Sequence, residues 1–206
     1  DAVRLVLKPV WNAYNFFTLY ANADGIKAEH STASTNLMDR YILAKCRESV
    51  ENISKAMDSY DTPTACRAVE SFFEILNNWY IRRSKERYWK SEKDSDKQAA
   101  YDTLYTVLHI MCRAMSPLLP LLVEEIWQGL TFPLSPLRDG VEEVNSIHLQ
   151  DFPDVSTINE DAKLISDMDR VRDICNSALA VRSAENIRVR QPLSSLTVVA
   201  SHAQDI

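Results

Sequence analysis

Glycine is scarce in this chain: three residues in 206, at Gly25, Gly129 and Gly140. They stand too far apart to build the backbone cradle of a P-loop or a dinucleotide fingerprint, so neither phosphate-binding device is available. Cysteine is almost as sparse. Cys46, Cys66, Cys112 and Cys175 form no CxxC pair, and each falls in an apolar helical pattern, as expected of buried free thiols in a reducing compartment. His30, His109, His148 and His202 share no metal-ligand spacing with them, which argues against a zinc site. No apolar run is long enough to span a membrane, and the start does not read as a signal peptide. The chain opens on Asp1 with a helical pattern already running, as expected of a piece of a longer protein or of a processed one. Positive charge is also in deficit, at a net −6, which argues against indiscriminate polyanion binding.

The charge that is present is unevenly spread. Residues 1–90 hold 13 Lys and Arg against 11 Asp and Glu, whereas residues 91–206 hold 10 against 18. The more basic part ends on Leu76 to Trp89, LNNWYIRRSKERYW. Ala65, Ala68, Val69, Phe72, Ile75, Leu76 and Trp79 recur at spacings of three and four, predicting one apolar helix face. Arg83, Glu86 and Lys90 continue that stripe with ions. Arg82, Arg83, Lys85, Arg87 and Lys90 face one acid, Glu86, and interleave with Trp79, Tyr80, Tyr88 and Trp89. Cations neutralise phosphates, and aromatic faces stack on bases or guanidinium groups. The plainer reading is a solvated helix end, with Arg82 or Arg83 paired to Glu86.

Along the chain, Val3, Val6, Leu7, Val10, Tyr14 and Phe17 predict a first helix that starts or kinks at Pro9. Asn12, Asn15 and Asn22 lie on or near it. Residues 23–36 read as a polar loop in which Thr35 or Asn36 can cap a second helix, running to about Tyr60. Thr62 as N-cap and Pro63 as first helical residue restart the chain into the basic stretch. Glu92 to Lys97 is expected as a charged turn. A fourth helix carries Tyr101 to Met115, and Ser116-Pro117 separates it from a fifth around Leu119 to Leu130. Residues 131–157, with Pro133, Pro136, Gly140 and Pro153, form a connector in which Ser146-Ile147-His148-Leu149 is a possible short strand. A sixth helix spans Asp161 to about Ala184, and Leu196 to Ala200 reads as a strand, which needs a partner. The expected core includes Phe72, Leu76, Leu108, Met111, Leu122 and Ile126. These patterns predict an all-α, mostly antiparallel helix bundle over residues 1–130, the connector, and a small α/β appendage over residues 158–206.

No catalytic constellation is evident. Glu124 and Glu125 diverge on a helix and cannot act as a dyad, so a solvated surface role is expected for them. Glu142-Glu143 form a second adjacent pair of the same kind. No serine sits in a nucleophile setting, and His148 reads as structural.

Several motifs in fixed order resemble class I aminoacyl-tRNA synthetases of the isoleucine, valine and leucine group. Leu37-Met38-Asp39-Arg40-Tyr41-Ile42-Leu43 is similar to the LxDRWIL signature, and Trp11-Asn12-Ala13-Tyr14-Asn15-Phe16-Phe17 to the preceding WNxxxF helix. Residues 78–89, NWYIRRSKERYW, resemble the isoleucyl pattern NWYxRxSRxRFW, whereas the valyl pattern lacks the paired arginine. Ser116-Pro117-Leu118-Leu119-Pro120 with Glu124-Glu125-Ile126-Trp127 resembles APFxPFxxEEIW, and Ser146-Ile147-His148-Leu149 with Phe152-Pro153 resembles SVHLxxWP. Arg188 to Leu193, RVRQPL, is similar to a segment of a eukaryotic-like isoleucyl branch. Departures are Tyr41 for Trp, Phe152 for Trp, and Asn15 where valyl sequences tend to carry Arg.

The resemblance implies the anticodon-binding helical bundle of an isoleucyl-tRNA synthetase and the start of its C-terminal junction. The partners implied are the anticodon arm of tRNA(Ile) and the rest of a cytoplasmic synthetase chain, with neither membrane nor DNA. The implied RNA-contacting residues are Asn12, Asn15, Trp79, Arg82, Arg83, Lys85 and Arg87. The parent reaction would use ATP and magnesium. This stretch contains neither HIGH nor KMSKS, so no cofactor is expected on it, and it is expected neither to activate isoleucine nor to charge tRNA. A valyl or leucyl bundle and a helical protein–protein adaptor are the competing readings. Tyr, Trp and Arg also mark protein interfaces.

Overall fold

The computed structural model describes residues 2–131 and 146–199. Pro133, Pro136, Gly140, Glu142, Glu143, Ala200 and His202 lie outside the described residues. The rest falls into two compact units, one up to Glu160 and one from Asp161.

Among its described residues, the regular elements of the first unit are all helices. Its α-helices are α1 (Lys8–Asp24), α2 (Leu37–Asp58), α3 (Thr62–Ile75), α4 (Arg82–Trp89), α5 (Ser95–Met115) and α6 (Pro120–Thr131). A π-turn over Val3–Leu7 leads into α1 without a break. Pro9 follows directly on that π-turn, as fits a residue that cannot donate to the helical ladder and crowds the carbonyl four residues back. Gly25 ends α1 at φ 61°, a left-handed conformation that glycine adopts without a Cβ penalty. Asn36 caps α2, its side chain accepting from the Met38 amide at 2.9 Å. Asp61, not Thr62, caps α3: its carboxylate takes the Thr64 amide at 3.1 Å and the Thr64 hydroxyl at 2.5 Å. A carboxylate offers two acceptor atoms at a positive helix end, and the threonine hydroxyl offers one, so the start moves back a residue. Asp94 caps α5 by accepting from the Lys97 amide at 2.8 Å, so the expected charged turn is shorter and Lys97 is inside the helix.

The core lies between α2, α3 and α5, with α1 and α6 packed on α5. Phe72, Leu76, Leu108, Met111 and Ile126 are buried as expected, whereas Leu122 is half-exposed. Among the thiols, Cys46 and Cys112 are buried, but Cys66 is exposed and Cys175 intermediate. The apolar pattern around Cys66 places Ala65 and Val69 inward and leaves the residue beside Ala65 on the other face. Burial pushes the Cys112 thiol up to about 12. Gly129 lets α6 approach α1: a Cβ there would fall 1.8 Å from the Tyr14 hydroxyl oxygen.

A buried lysine paired with a half-buried aspartate ties the bundle at one end. Lys97 is 1 % exposed and donates to Asp24 at 2.7 Å and to the Lys90 carbonyl at 2.7 Å. Tyr101 adds a hydroxyl to the same Asp24 carboxylate. A buried ammonium is tolerable only when paired and hydrogen-bonded, as here.

The Ser146–Leu149 segment is not a strand. Ile147–Leu149 form one 3-10 turn, and Glu124 on α6 sets it. The Glu124 carboxylate accepts from the Ser146 hydroxyl at 2.9 Å and the Ile147 amide at 3.0 Å, and from Gln128 at 2.8 Å. Burial opposes the charge, but these bonds hold Glu124 below the usual carboxylate range. Glu124, half-exposed and fully engaged, is therefore not the solvated twin of the exposed Glu125. Ile147, Val155 and Ile158 are buried, and Arg47 on α2 donates to the Ile158 carbonyl at 2.6 Å.

In the second unit, α7 (Ala162–Ala184) is capped by Asp161. No residue of it is buried, and the apolar Val171 and Leu179 are exposed. Arg182 donates to the carbonyls of Arg188, Val189 and Gln191. Leu196–Val199 is not a strand; among the described residues nothing offers it the paired edge a strand requires.

His109 gives the first unit a pH dependence. Its ring packs 4.5 Å from Trp127 and 5.8 Å from Tyr105, centroid to centroid. Burial, helped by Arg113 and His30, lowers its pKa from 6.5 to about 4. The unfolded chain therefore binds more protons than the folded one between those two values, and folding stability rises with pH across that window. The stability that the neutral ring confers is complete above pH 6.5 and lost as pH falls toward 4. His109→Phe, which keeps the ring stack, should flatten that part of a denaturant-monitored stability–pH profile.

Candidate nucleic-acid interface

The basic stretch is one continuous helical rod with a π-turn inside it. Residues Leu76–Ile81 form the π-turn, between α3 and α4. A π-turn widens the helix and displaces everything after it around the axis. Up to Leu76 the inward stripe is the expected one. Beyond it, Tyr80, Ile81, Ser84 and Tyr88 are buried, and the stripe predicted through Trp79, Arg83 and Glu86 is turned outward. The face moves by about one residue, which decides which cations meet water.

Arg82 and Arg83 are exposed. Neither forms an ion pair with Glu86 among the described residues. The Arg83 guanidinium lies 4.4 Å from the centre of the Trp79 ring, and the Lys85 ammonium 5.3 Å from that of Trp89. Such cation–π contacts are worth about 0.5–1 kcal/mol at exposed sites. They orient the cations without neutralising them. Trp89 is 56 % exposed, while Trp79 is half-buried with its Nε1 unpartnered.

Arg87 behaves differently and leaves the expected set of RNA contacts. Its guanidinium is bidentate to Asp39, at 2.6 and 2.9 Å, and pairs with Asp96 at 2.8 Å. Asp39 is fully buried and also accepts from the Tyr80 hydroxyl at 2.8 Å and the Ser34 hydroxyl at 2.7 Å. Burial works against the Arg87 charge, but Asp39 and then Asp96 outweigh it, and the guanidinium is held even more firmly protonated than usual. Burial pushes the Tyr80 and Tyr88 hydroxyls up as well. Lys90 is likewise spent, on Asp94 at 2.6 Å and Asp96 at 3.3 Å. Two separate motifs, LMDRYIL and NWYIRRSKERYW, are thus joined through one buried carboxylate, across the 48 residues from Asp39 to Arg87. Tyr41, the departure from tryptophan in the first motif, is fully buried and cannot meet a ligand.

α1 supplies the second wall. It runs alongside the rod in the same direction: Asn77 donates to the Pro9 carbonyl at 3.0 Å, and Phe16 meets Tyr88 edge-on at 5.0 Å. Asn12 and Asn15 point to solvent, and so do Lys8 and Trp11, which sequence reasoning passed over. The signal was present in the spacing of Lys8, Trp11 and Asn15, which share a helix face with no apolar partner between them. The candidate face therefore gathers Lys8, Trp11, Asn12 and Asn15 on one helix and Trp79, Arg82, Arg83, Lys85 and Trp89 on the neighbouring rod. Cations, amides and aromatic faces on rigid helices can hold phosphates and stack or hydrogen-bond unpaired bases.

Residues 39–198 match the family described as the anticodon-binding domain of tRNA ligase. The chain is similar along nearly all of its length to bacterial proteins named isoleucine–tRNA ligase. It is 51 % identical over 215 residues to that of Rickettsia bellii (strain OSU 85-389), covering 98 % of this chain and 19 % of the relative. It is 50 % identical over 198 residues to that of Wolbachia pipientis wMel, covering 96 % and 17 %. It is 52 % identical over 198 residues to that of the Wolbachia of Brugia malayi (strain TRS), covering 96 % and 16 %. The chain thus spans about a fifth of the length of these curated relatives.

Proposed function

The chain belongs to the anticodon-binding domain family of tRNA ligases, and on that premise we propose that it grips the anticodon arm of tRNA(Ile) for a larger isoleucine–tRNA ligase. The observation that carries the proposal is the turned-out cation and aromatic face of the rod beside α1. Arg82, Arg83 and Lys85 neutralise backbone phosphates, and Trp11, Trp79 and Trp89 offer faces to unpaired bases of the loop. Asn12 and Asn15 present amide donors and acceptors at the same wall. The paired Arg82 and Arg83 and the names of the relatives favour isoleucine over valine or leucine. The parent enzyme would join isoleucine to its tRNA in the cytoplasm using ATP and magnesium. Among the described residues no group of three or more His, Cys, Asp or Glu could hold a metal ion, and the sequence carries no glycine-rich loop. No helix among them is long and apolar enough to cross a membrane. The eukaryotic-like branch suggested by residues 188–193 stays part of the proposal, resting on those residues alone.

The test is a salt titration of binding to tRNA(Ile) and to a tRNA carrying a foreign anticodon loop. Affinity for tRNA(Ile) should fall by several orders of magnitude between about 50 and 200 mM salt if roughly six or more phosphates are contacted, and less steeply for fewer. The foreign loop should bind more weakly at every salt concentration. A salt-independent affinity equal for both RNAs would instead favour a protein partner for this face.

A further inference from the structure

Away from that interface, a partly buried cation of the bundle makes no direct ion pair among the described residues. Arg113, on the last turn of α5, is partly buried, and its Nε is fully buried without a hydrogen-bond partner. Nothing closes an ion pair with it among the described residues. Asp151 lies near enough for its charge to act on Arg113 but does not reach it, and burial makes the guanidinium less basic than usual. A guanidinium cannot escape burial by losing its proton, so it needs an anion. Two histidines also stand beside it. His109 is one helical turn earlier on the same face, with a buried unpartnered Nδ1. His30, from the loop between α1 and α2, meets His109 edge-on at 5.9 Å. Burial and the Arg113 charge both hold His30 below its usual range. That loop is pinned on α5 by Thr106, whose hydroxyl accepts from the Ser31 amide at 2.8 Å, and by Asp102, which accepts from the Glu29 amide at 2.8 Å. His30 is therefore held over the α5 face by backbone bonds on both sides of it.

We infer that Arg113, His30 and His109 form an anion site that takes a phosphate group. The guanidinium supplies the fixed charge and a planar fork of donors suited to a phosphate. His30, which is exposed, donates from the solvent side, and His109 closes the inner edge. The site lies between α5 and the α1–α2 loop, on elements other than the Arg82 and Arg83 rod, and does not depend on the tRNA reading. The phosphate comes either from an RNA backbone or from solution, and the two sources separate experimentally.

The experiment compares thermal unfolding of the chain in inorganic phosphate and in chloride at equal ionic strength, with R113Q, R113K and H30Q beside the wild type. A ligand that binds only the folded chain raises its melting temperature by mass action. The wild type should melt higher in phosphate than in chloride, R113Q should lose that difference, R113K should keep part of it, and H30Q should reduce it. H30Q alters an exposed side chain and carries the test if R113Q does not fold. The salt slope of tRNA binding then assigns the source: a drop of about one unit in R113Q means an RNA phosphate, and an unchanged slope means free phosphate. If the wild type melts alike in both salts and R113Q leaves the tRNA slope unchanged, the site does not exist. It is equally ruled out if R113Q and H30Q both keep the full phosphate effect.

Discussion

Reversing both charges in Arg82→Glu with Arg83→Glu should weaken tRNA binding about tenfold or more and flatten its salt dependence by about two units, one for each phosphate no longer held. Helix content should not change. Both side chains are exposed, neither is tied to Glu86 among the described residues, and the interaction broken within the fold is Arg83 over Trp79, worth about 0.5–1 kcal/mol. The competing view, in which these arginines only fasten the helix end, predicts the opposite division: a stability loss with unchanged affinity per folded molecule. Arg83→Gln alone separates phosphate binding from ring orientation. It should lower the slope by about one unit, and Trp79 fluorescence should report the missing cation. A double reversal that leaves both affinity and slope intact in a folded chain would remove this face from the interface.

The spacing of apolar residues was enough to read the helical rods, though not the division of the third by a π-turn, and most of the core. Asn36 and Asp161 were legible as helix starts because short polar side chains before a periodic stripe have few other uses. The start at Asp61 was misassigned to Thr62 because both residues are capable caps, and only the folded geometry chooses. The π-turn at Leu76–Ile81 left no mark that a helical period can register. A stripe extrapolated through Trp79 and Arg83 therefore came out one residue off, and Arg87 was placed outside when Asp39 holds it inside. The same limit applies to Glu124. Its neighbour Glu125 is exposed, and the partners that distinguish the two, Ser146 and Ile147, arrive from 22 and 23 residues away. Short apolar runs misled as well. Ser146–Leu149 and Leu196–Val199 have strand composition, but a strand is defined by its partner. For the interface, residue types on one helix were readable, whereas the pairing of α1 with the rod required Asn77 to find Pro9.

Asp39→Ala should be the most damaging single substitution in the first unit, lowering stability by about 3–5 kcal/mol, the usual effect of stripping one partner from a buried ion pair. It leaves the Arg87 guanidinium facing a cavity, with Asp96 as its remaining partner, and takes from the buried Tyr80 hydroxyl the carboxylate it donates to. Asp39→Asn should cost less, because the amide oxygen still accepts from Tyr80 or Arg87, though it cannot supply the bidentate charged pair. Arg87→Ala should approach the first loss by exposing the opposite error, a buried carboxylate without its cation. The double variant should fall well short of the sum, since each change removes the penalty the other creates, and the coupling should reach about 1–3 kcal/mol in urea unfolding. Additive losses would mean that the two groups do not act as a pair. The functional consequence follows from rotation. The Asp39–Arg87 pair fixes α4 about its axis immediately after a π-turn, where the backbone is least committed to one register, so it also sets the direction in which Arg82, Arg83 and Lys85 point. Asp39→Asn, folded but loosely held, should therefore lose tRNA affinity measured per folded molecule, although no part of Asp39 is exposed to touch RNA. Full affinity in that variant would show that the buried pair holds the bundle together without aiming its surface.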